Sequence, residues 1–180
     1  MAPYPLLTLA ALVFGPMLLE ARRASRNERA QRARGGIEPP GDVYAWMRVI
    51  YPASFAAMIA EGGVRGWPPL PVLVAGVLFF TLGKALKWWA IAVLGPSWTF
   101  RVIVVPGALL VARGPYRWIR HPNYVGVVGE LAGVAAAVGA PVSGAIALAV
   151  FGLLLIKRIA VEERTLRERG PAARGRESAS

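Results

Sequence analysis

Five apolar segments, separated by basic or Gly/Pro-rich stretches, run through this chain of 180 residues. They cover residues 4–19, 43–60, 70–94, 123–140 and 142–156. A helix of about 20 apolar residues spans the hydrocarbon core of a bilayer, and shorter ones cross where the bilayer thins. The pattern predicts an all-α, multi-pass transmembrane bundle of about five spans. The second segment contains Pro52 and is the least regular, so a position in the membrane interface is its alternative.

Basic residues separate these segments unevenly. Six arginines crowd residues 22–34, which we interpret as a loop ended by Gly35-Gly36. Because positive loops stay inside, this loop, the connection at 101–120 and the tail after 157 are expected in the cytoplasm, with the N-terminus outside. The first segment lacks a basic start and a clean cleavage site, so we interpret it as a retained helix.

Composition supports the membrane interpretation. Hydrophobic residues make up 56% of the chain, mean hydropathy is +0.48 and only 17% of residues are charged. The net charge of +11 comes largely from arginines at the ends of apolar segments, as expected for anchors at an anionic membrane face and not for nucleic-acid binding. With no cysteine and one histidine, no metal site is predicted.

Local patterns predict how the C-terminal half folds. Residues 102–105 and 109–111 have extended character on either side of Pro106-Gly107, which favours a short hairpin-like excursion. The brief joint at 139–141 makes the last two apolar helices antiparallel neighbours. Five glycines on these two helices favour their close approach: Gly126, Gly129, Gly133, Gly144 and Gly152.

Two polar clusters flank this helical pair, at 114–126 and 157–163. His121-Pro122 opens the fourth helix, where free backbone N–H groups favour an anionic ligand group. Arg158 and Glu162 are four residues apart and share one helix face, next to Glu163. We predict that the clusters face each other at one membrane surface and form a site for a ligand with both a carboxylate and an ammonium.

Each of these residues also has a structural interpretation. His121 can cap its helix, and the Arg158, Glu162 and Glu163 side chains can form a solvated face. Tyr116, Trp118 and Tyr124 are also typical interfacial aromatics. Glu130 lies two turns inside a span, where an acid is a functional hypothesis by default. A buried ion pair of Glu130 with Lys84 or Lys87 is the alternative.

The two clusters resemble motifs of the isoprenylcysteine carboxyl methyltransferase family, which is itself similar to the phospholipid N-methyltransferases. The matching residues are Gly114, Tyr116, Arg120-His121-Pro122-Asn123-Tyr124 and Gly126, then Arg158-x-x-x-Glu162-Glu163 with Leu166, and upstream Lys87-Trp88-Trp89 and Trp98. The resemblance covers residues 82–166, nearly half of the chain. It divides the chain into N-terminal transmembrane helices (1–81), a methyltransferase core (82–169) completed by a C-terminal cytoplasmic helix, and a disordered tail (170–180).

The resemblance implies S-adenosyl-L-methionine as the methyl donor. The residues it assigns to the cofactor are Ala108, Leu109, Leu110, Val111, Gly114, Tyr116, His121, Pro122, Asn123, Tyr124, Glu162 and Glu163. It implies that Glu162 holds the cofactor's ammonium and that Arg158 orients the methyl acceptor. With Arg120 and Glu130, Arg158 forms the candidate catalytic set. Arg101 stands where eukaryotic members of the family carry a glutamine. In this respect the chain is similar to a bacterial branch of the family, some of whose members O-methylate lipidic polyketides such as alkylpyrones.

The sequence hypothesis is therefore an integral membrane methyltransferase of the bacterial inner membrane, acting on a carboxylate or hydroxyl of a lipophilic small molecule. A phospholipid N-methyltransferase is the alternative enzyme. A non-catalytic scaffold, whose arginine-rich segment binds anionic lipid, is the alternative outside enzymes. A transporter is disfavoured because the chain shows no internal repeat.

Overall fold

The computed structural model describes residues 4–108 and 111–169, without the side chains of 4–6 and 169. It contains five α-helices: α1 (Tyr4–Ala33), α2 (Tyr44–Arg65), α3 (Leu70–Leu94), α4 (Pro122–Val138) and α5 (Pro141–Arg169). The all-α prediction is confirmed for the described residues. The tail predicted to be disordered, 170–180, lies outside them.

Helix α1 continues through the arginine-rich segment, so the predicted loop at 22–34 is wrong. Arg, Ala, Glu and Gln are all good helix formers, and the helix stops only before Gly35, which has a φ of 78°. The polar half of α1 packs on the turn that follows α3. There the Asn27 side chain donates to the carbonyl oxygens of Gly95 and Trp98, at 3.0 and 2.7 Å.

Glycines set the closest helix contact, which joins α3 to α4. A Cβ placed on Gly83 would lie 2.8 Å from the carbonyl oxygen of Gly126, and one on Gly133 would lie 2.3 Å from a backbone nitrogen of α3. Gly126, Gly129 and Gly133 thus face α3, although the sequence predicted that they face α5. Gly144 is the glycine that brings α5 close to α4, since its Cβ would lie 2.5 Å from that of Ala135.

Two helices carry apolar faces directed outward. Within the described residues, α3 and α5 are long and apolar enough to cross a membrane, and α4 is a shorter apolar helix. Leu78 and Leu82 on α3, and Leu153 and Ile156 on α5, are exposed on the outside of the bundle. Since water is a poor solvent for such faces, these helices indicate a membrane protein. The prediction of about five spans stays a prediction.

The connection between α3 and α4 folds back onto the connection between α1 and α2. Val104 exchanges both backbone hydrogen bonds with Ile37, at 2.9 and 3.0 Å, in an isolated antiparallel bridge. The turn expected at Pro106-Gly107 is present, with the Ala108 N–H donating to the Val105 carbonyl. The described residues form no strand, and Val104 pairs with Ile37 of the α1–α2 connection. The hairpin of 102–105 with 109–111 stays a prediction. Residues 109 and 110 lie outside the description.

Candidate active site

One cavity of about 820 Å³ lies between α1, α2, the start of α4 and the end of α5. Its polar end is lined by Arg101, Tyr116, Arg120, His121, Asn123, Tyr124, Arg158, Glu162 and Glu163. Its apolar end is lined by Phe14, Met17, Met47, Val127, Phe151 and Leu155. Small-molecule pockets usually measure roughly 300–1,000 Å³, so the cavity has room for a polar ligand beside part of an apolar chain.

His121 stands at the mouth of this cavity, immediately before α4. Pro122 takes the first helical position, where its missing N–H costs nothing, and the His121 side chain makes no capping bond. Its Nε2 instead lies 3.3 Å from the Oε1 of Glu163, which is also 3.6 Å from the Arg120 guanidinium. These contacts join the start of α4 to the end of α5 directly.

Tyr124 lies at the centre of the polar end. Its hydroxyl donates to Oε2 of Glu162 at 2.6 Å and accepts from Nε of Arg158 at 2.9 Å. Its ring stacks on His121, with the ring centroids 5.5 Å apart. The two polar clusters, which the sequence predicted to face each other, are thus in direct contact at the cavity, and their role in holding a cofactor stays a prediction.

Arg158 is held by groups from three parts of the chain. Besides Tyr124, it donates to Oδ1 of Asp42 at 2.8 Å and to the carbonyl oxygen of Phe100. Asp42 also accepts from the Val102 N–H at 2.9 Å. Asp42 was missed by sequence reasoning, because it follows a Gly/Pro-rich break and lies 116 residues from its partner. Its only local signal is that it is the single aspartate of the chain.

Two acceptor groups at the polar end are only partly paired within the described residues. Glu162 has no Lys, Arg or His nitrogen within 4 Å among the described residues, although it receives the Tyr124 hydroxyl. The Oδ1 of Asn123 is buried with no hydrogen-bond partner among those residues. A buried polar atom is normally paired. The Glu162 carboxylate is therefore available to an ammonium group of a ligand.

The remaining predicted cofactor residues divide into three groups. Val111 and Tyr116 line the cavity. Ala108, Gly114 and Pro122 do not, and Leu109 and Leu110 lie outside the described residues. Burial raises the pKa of Tyr116 above its usual value of 10.0, and the nearby Glu162 carboxylate raises it further. This phenol therefore stays protonated and can donate a hydrogen bond.

Glu130 is fully buried and does not line the cavity. Its carboxylate lies 2.8 Å from the ammonium groups of both Lys84 and Lys87, and it accepts the Tyr51 hydroxyl at 2.6 Å. Lys87 also lies 2.8 Å from the carboxylate of Glu20. Two acids and two lysines thus balance one another between the helices. This arrangement supports the ion-pair interpretation of Glu130, and its catalytic role stays a prediction.

The Arg101 side chain is fixed by contacts with two carboxylates and one aromatic ring. Its guanidinium lies 2.6 Å from the Glu38 carboxylate and 3.7 Å from that of Glu28, and it rests 4.8 Å from the centre of the Tyr44 ring. These contacts tie the segment after α3 to the connection between α1 and α2. Arg101 therefore helps to close the polar end of the cavity.

The fold and the cavity define a class: a helical membrane protein with a pocket that is polar at one end and apolar at the other. Within this class, the chain belongs to the isoprenylcysteine carboxyl methyltransferase family, whose family model matches residues 75–168. Membership indicates a membrane methyltransferase. The matched region begins within α3, so α1 and α2, with Asp42, lie outside it.

Two bacterial relatives extend the similarity beyond that region. An uncharacterised protein of Bacillus subtilis, YpbQ, is 28% identical over 160 residues, which are 89% of this chain and 95% of the relative. An uncharacterised protein of Haemophilus influenzae is 23% identical over 142 residues, 78% of this chain and 83% of the relative. No solved structure matches the chain.

Proposed function

We propose that this protein transfers a methyl group from S-adenosyl-L-methionine to an oxygen of a lipophilic small molecule, either a carboxylate or a hydroxyl. Isoprenylcysteine-like and alkylpyrone-like acceptors both fit this description. The observation that carries the proposal is the Glu162 carboxylate, which has no basic nitrogen within 4 Å among the described residues. It accepts the Tyr124 hydroxyl at the polar end of a cavity whose other end is apolar.

The described residues fit the cofactor by their chemistry. Glu162 offers a carboxylate to its ammonium, and the Asn123 side chain also lines the cavity. His121 and Tyr116 add hydrogen-bonding groups on the same wall. When bound, the cofactor supplies an electrophilic methyl group on a sulfonium. We place this end of the cavity at the cytoplasmic membrane surface, where a water-soluble cofactor enters.

Arg158 is suited to orient the acceptor oxygen. A guanidinium has five N–H donors, and three described groups accept from that of Arg158. The remaining N–H groups can position an oxygen for in-line attack on the methyl group. A carboxylate or acidic enol needs no strong general base. Catalysis then rests on positioning and on a site with little water.

Calorimetry of the detergent-purified protein with S-adenosylhomocysteine tests this proposal. We expect binding by the native chain and at least about tenfold weaker binding by Glu162→Gln, since the ammonium loses a charge-assisted bond. Glu168→Gln is the matched control, because that acid is on the same helix but exposed. Absence of binding by correctly folded native protein, or equal affinities for Glu162→Gln and the control, would contradict the proposal. Labelled methyl groups found in phosphatidylethanolamine derivatives would favour the phospholipid N-methyltransferase instead.

A further inference from the structure

The charges on the cavity wall are almost all balanced. Four of the basic residues that line it have an acidic partner within 4 Å: Lys87 with Glu20 at 2.8 Å, Arg101 with Glu38 at 2.6 Å, Arg120 with Glu163 at 3.6 Å and Arg158 with Asp42 at 2.8 Å. Arg48 also lines the cavity. Within the described part of the chain, it forms no ion pair and no hydrogen bond.

Arg48 is on the cavity face of α2. Tyr44, Met47, Tyr51 and Pro52 line the cavity too, and their spacing of three and four residues defines one side of a helix. The Tyr51 ring lies against that of Phe151 at the apolar end, with the ring centroids 5.1 Å apart. Tyr44 lies beside Arg101 at the polar end. Arg48 is thus placed between the polar end, where we locate the cofactor, and the apolar end.

Arg48 is exposed, so its guanidinium is open to an anion that enters the cavity. Beside the apolar chamber of a membrane protein, a charge is stabilised by such a partner. Arg158 does not offer an equivalent charge to a ligand, because Asp42 already compensates it and both side chains are almost completely buried. Arg48 carries the same fixed charge without compensation. Among the described residues, Glu162 and Arg48 are therefore the lining acid and the lining base that have no oppositely charged side chain within 4 Å.

We propose that Arg48 binds a negatively charged group of the methyl acceptor and selects anionic amphiphiles over neutral ones. This inference rests on the proposed function. It divides recognition between two arginines: Arg158 orients the reacting oxygen through its free N–H groups, whereas Arg48 pairs with the net negative charge. It also gives a specific role to α2, which lies outside the region matched by the family.

Chain-matched ligands test this division of roles. Dodecanoate carries an anionic head group and methyl dodecanoate a neutral one on the same alkyl chain, and the binding of each is measured in maltoside micelles with S-adenosylhomocysteine present. We expect Arg48→Gln to weaken dodecanoate binding about tenfold, as for the loss of one charge-assisted contact. The same variant should change the binding of methyl dodecanoate less than twofold. Arg65→Gln is the control, because Arg65 is on the same helix but does not line the cavity.

Charge reversal provides a second variant. Arg48→Glu is expected to bind dodecyltrimethylammonium more tightly than dodecanoate, opposite to the native preference. An equal loss of both dodecanoate and its ester in Arg48→Gln, or an unchanged preference in both variants, would overturn the inference. Binding of S-adenosylhomocysteine by each variant keeps the two proposals apart. If the native protein fails to bind it, the proposed function fails, whereas normal cofactor binding with unchanged amphiphile preference rejects only the role of Arg48.

Discussion

Replacing Asp42 with asparagine tests the contact that joins the two halves of the chain. The Asp42 and Arg158 side chains are only 4% and 6% exposed, so the substitution leaves a buried guanidinium without its counter-charge. Removing one partner of a buried ion pair typically costs about 3–5 kcal/mol. The exposed pair between Arg164 and Glu168 is the comparison, and removing its acid is expected to cost about 0–1 kcal/mol.

Equilibrium unfolding in mixed SDS–maltoside micelles, followed by circular dichroism, measures these free energies. The double variant Asp42→Asn/Arg158→Met removes both charges, so its loss of stability should be smaller than the sum of the two single losses. The reasoning is refuted if Asp42→Asn costs no more than Glu168→Gln. It is also refuted if the double variant loses the full sum, because the two residues would then act independently.

Three further outcomes follow from the packing and the charges. Glu130→Gln should destabilise the fold, because it removes the acid from a buried group of ion pairs. It should change the affinity for S-adenosylhomocysteine less than about threefold, because Glu130 does not line the cavity. A stable variant that binds the cofactor but has lost methyl transfer would contradict this. Gly83→Ala should lower the free energy of unfolding by about 1–3 kcal/mol, since its Cβ would meet the α4 backbone, whereas Gly15→Ala meets nothing within 4 Å and should not. Partial burial acts to raise the pKa of Glu38, but its bonds to Arg101 and Arg32 hold that pKa below the ordinary value of 4.5. The stabilisation is therefore complete above pH 4.5 and lost as pH falls below it, so acid melting of Glu38→Gln should be less steep than that of the native chain.

Local patterns predicted the helices well where apolar residues and turn residues agree. The third apolar segment was expected at 70–94, and α3 spans Leu70–Leu94. The start of α4 followed from His121-Pro122. The end of α1 was predicted wrongly, because a run of arginines is also typical of a cytoplasmic loop. Most residues between those arginines are good helix formers, and contacts such as Asn27 to Gly95 dock the helix on the turn after α3.

Contacts between distant segments could not be predicted from spacing. Three glycines of α4 were expected to face α5 because the two helices are joined by a short loop, yet a short loop does not determine which face of a helix meets a third one. The ionic partner of Arg158 is Asp42, which lies 116 residues away in the sequence. Arg48 could be identified only from the structure, which shows that the other basic residues lining the cavity are paired. In contrast, the grouping of His121 with Glu162 could be predicted, because both lie at the free ends of one helical hairpin.

The central claim is that His121 and Glu162 line one pocket that binds the cofactor. His121 is the only histidine in the chain, and its side chain is 20% exposed, so its modification by diethylpyrocarbonate can be followed by mass spectrometry. Saturating S-adenosylhomocysteine should slow this modification at least about tenfold, since a bound small molecule covers most of its pocket, and the same ligand concentration should protect much less in Glu162→Gln. An unchanged modification rate, at a ligand concentration that calorimetry shows to be saturating, would contradict the account.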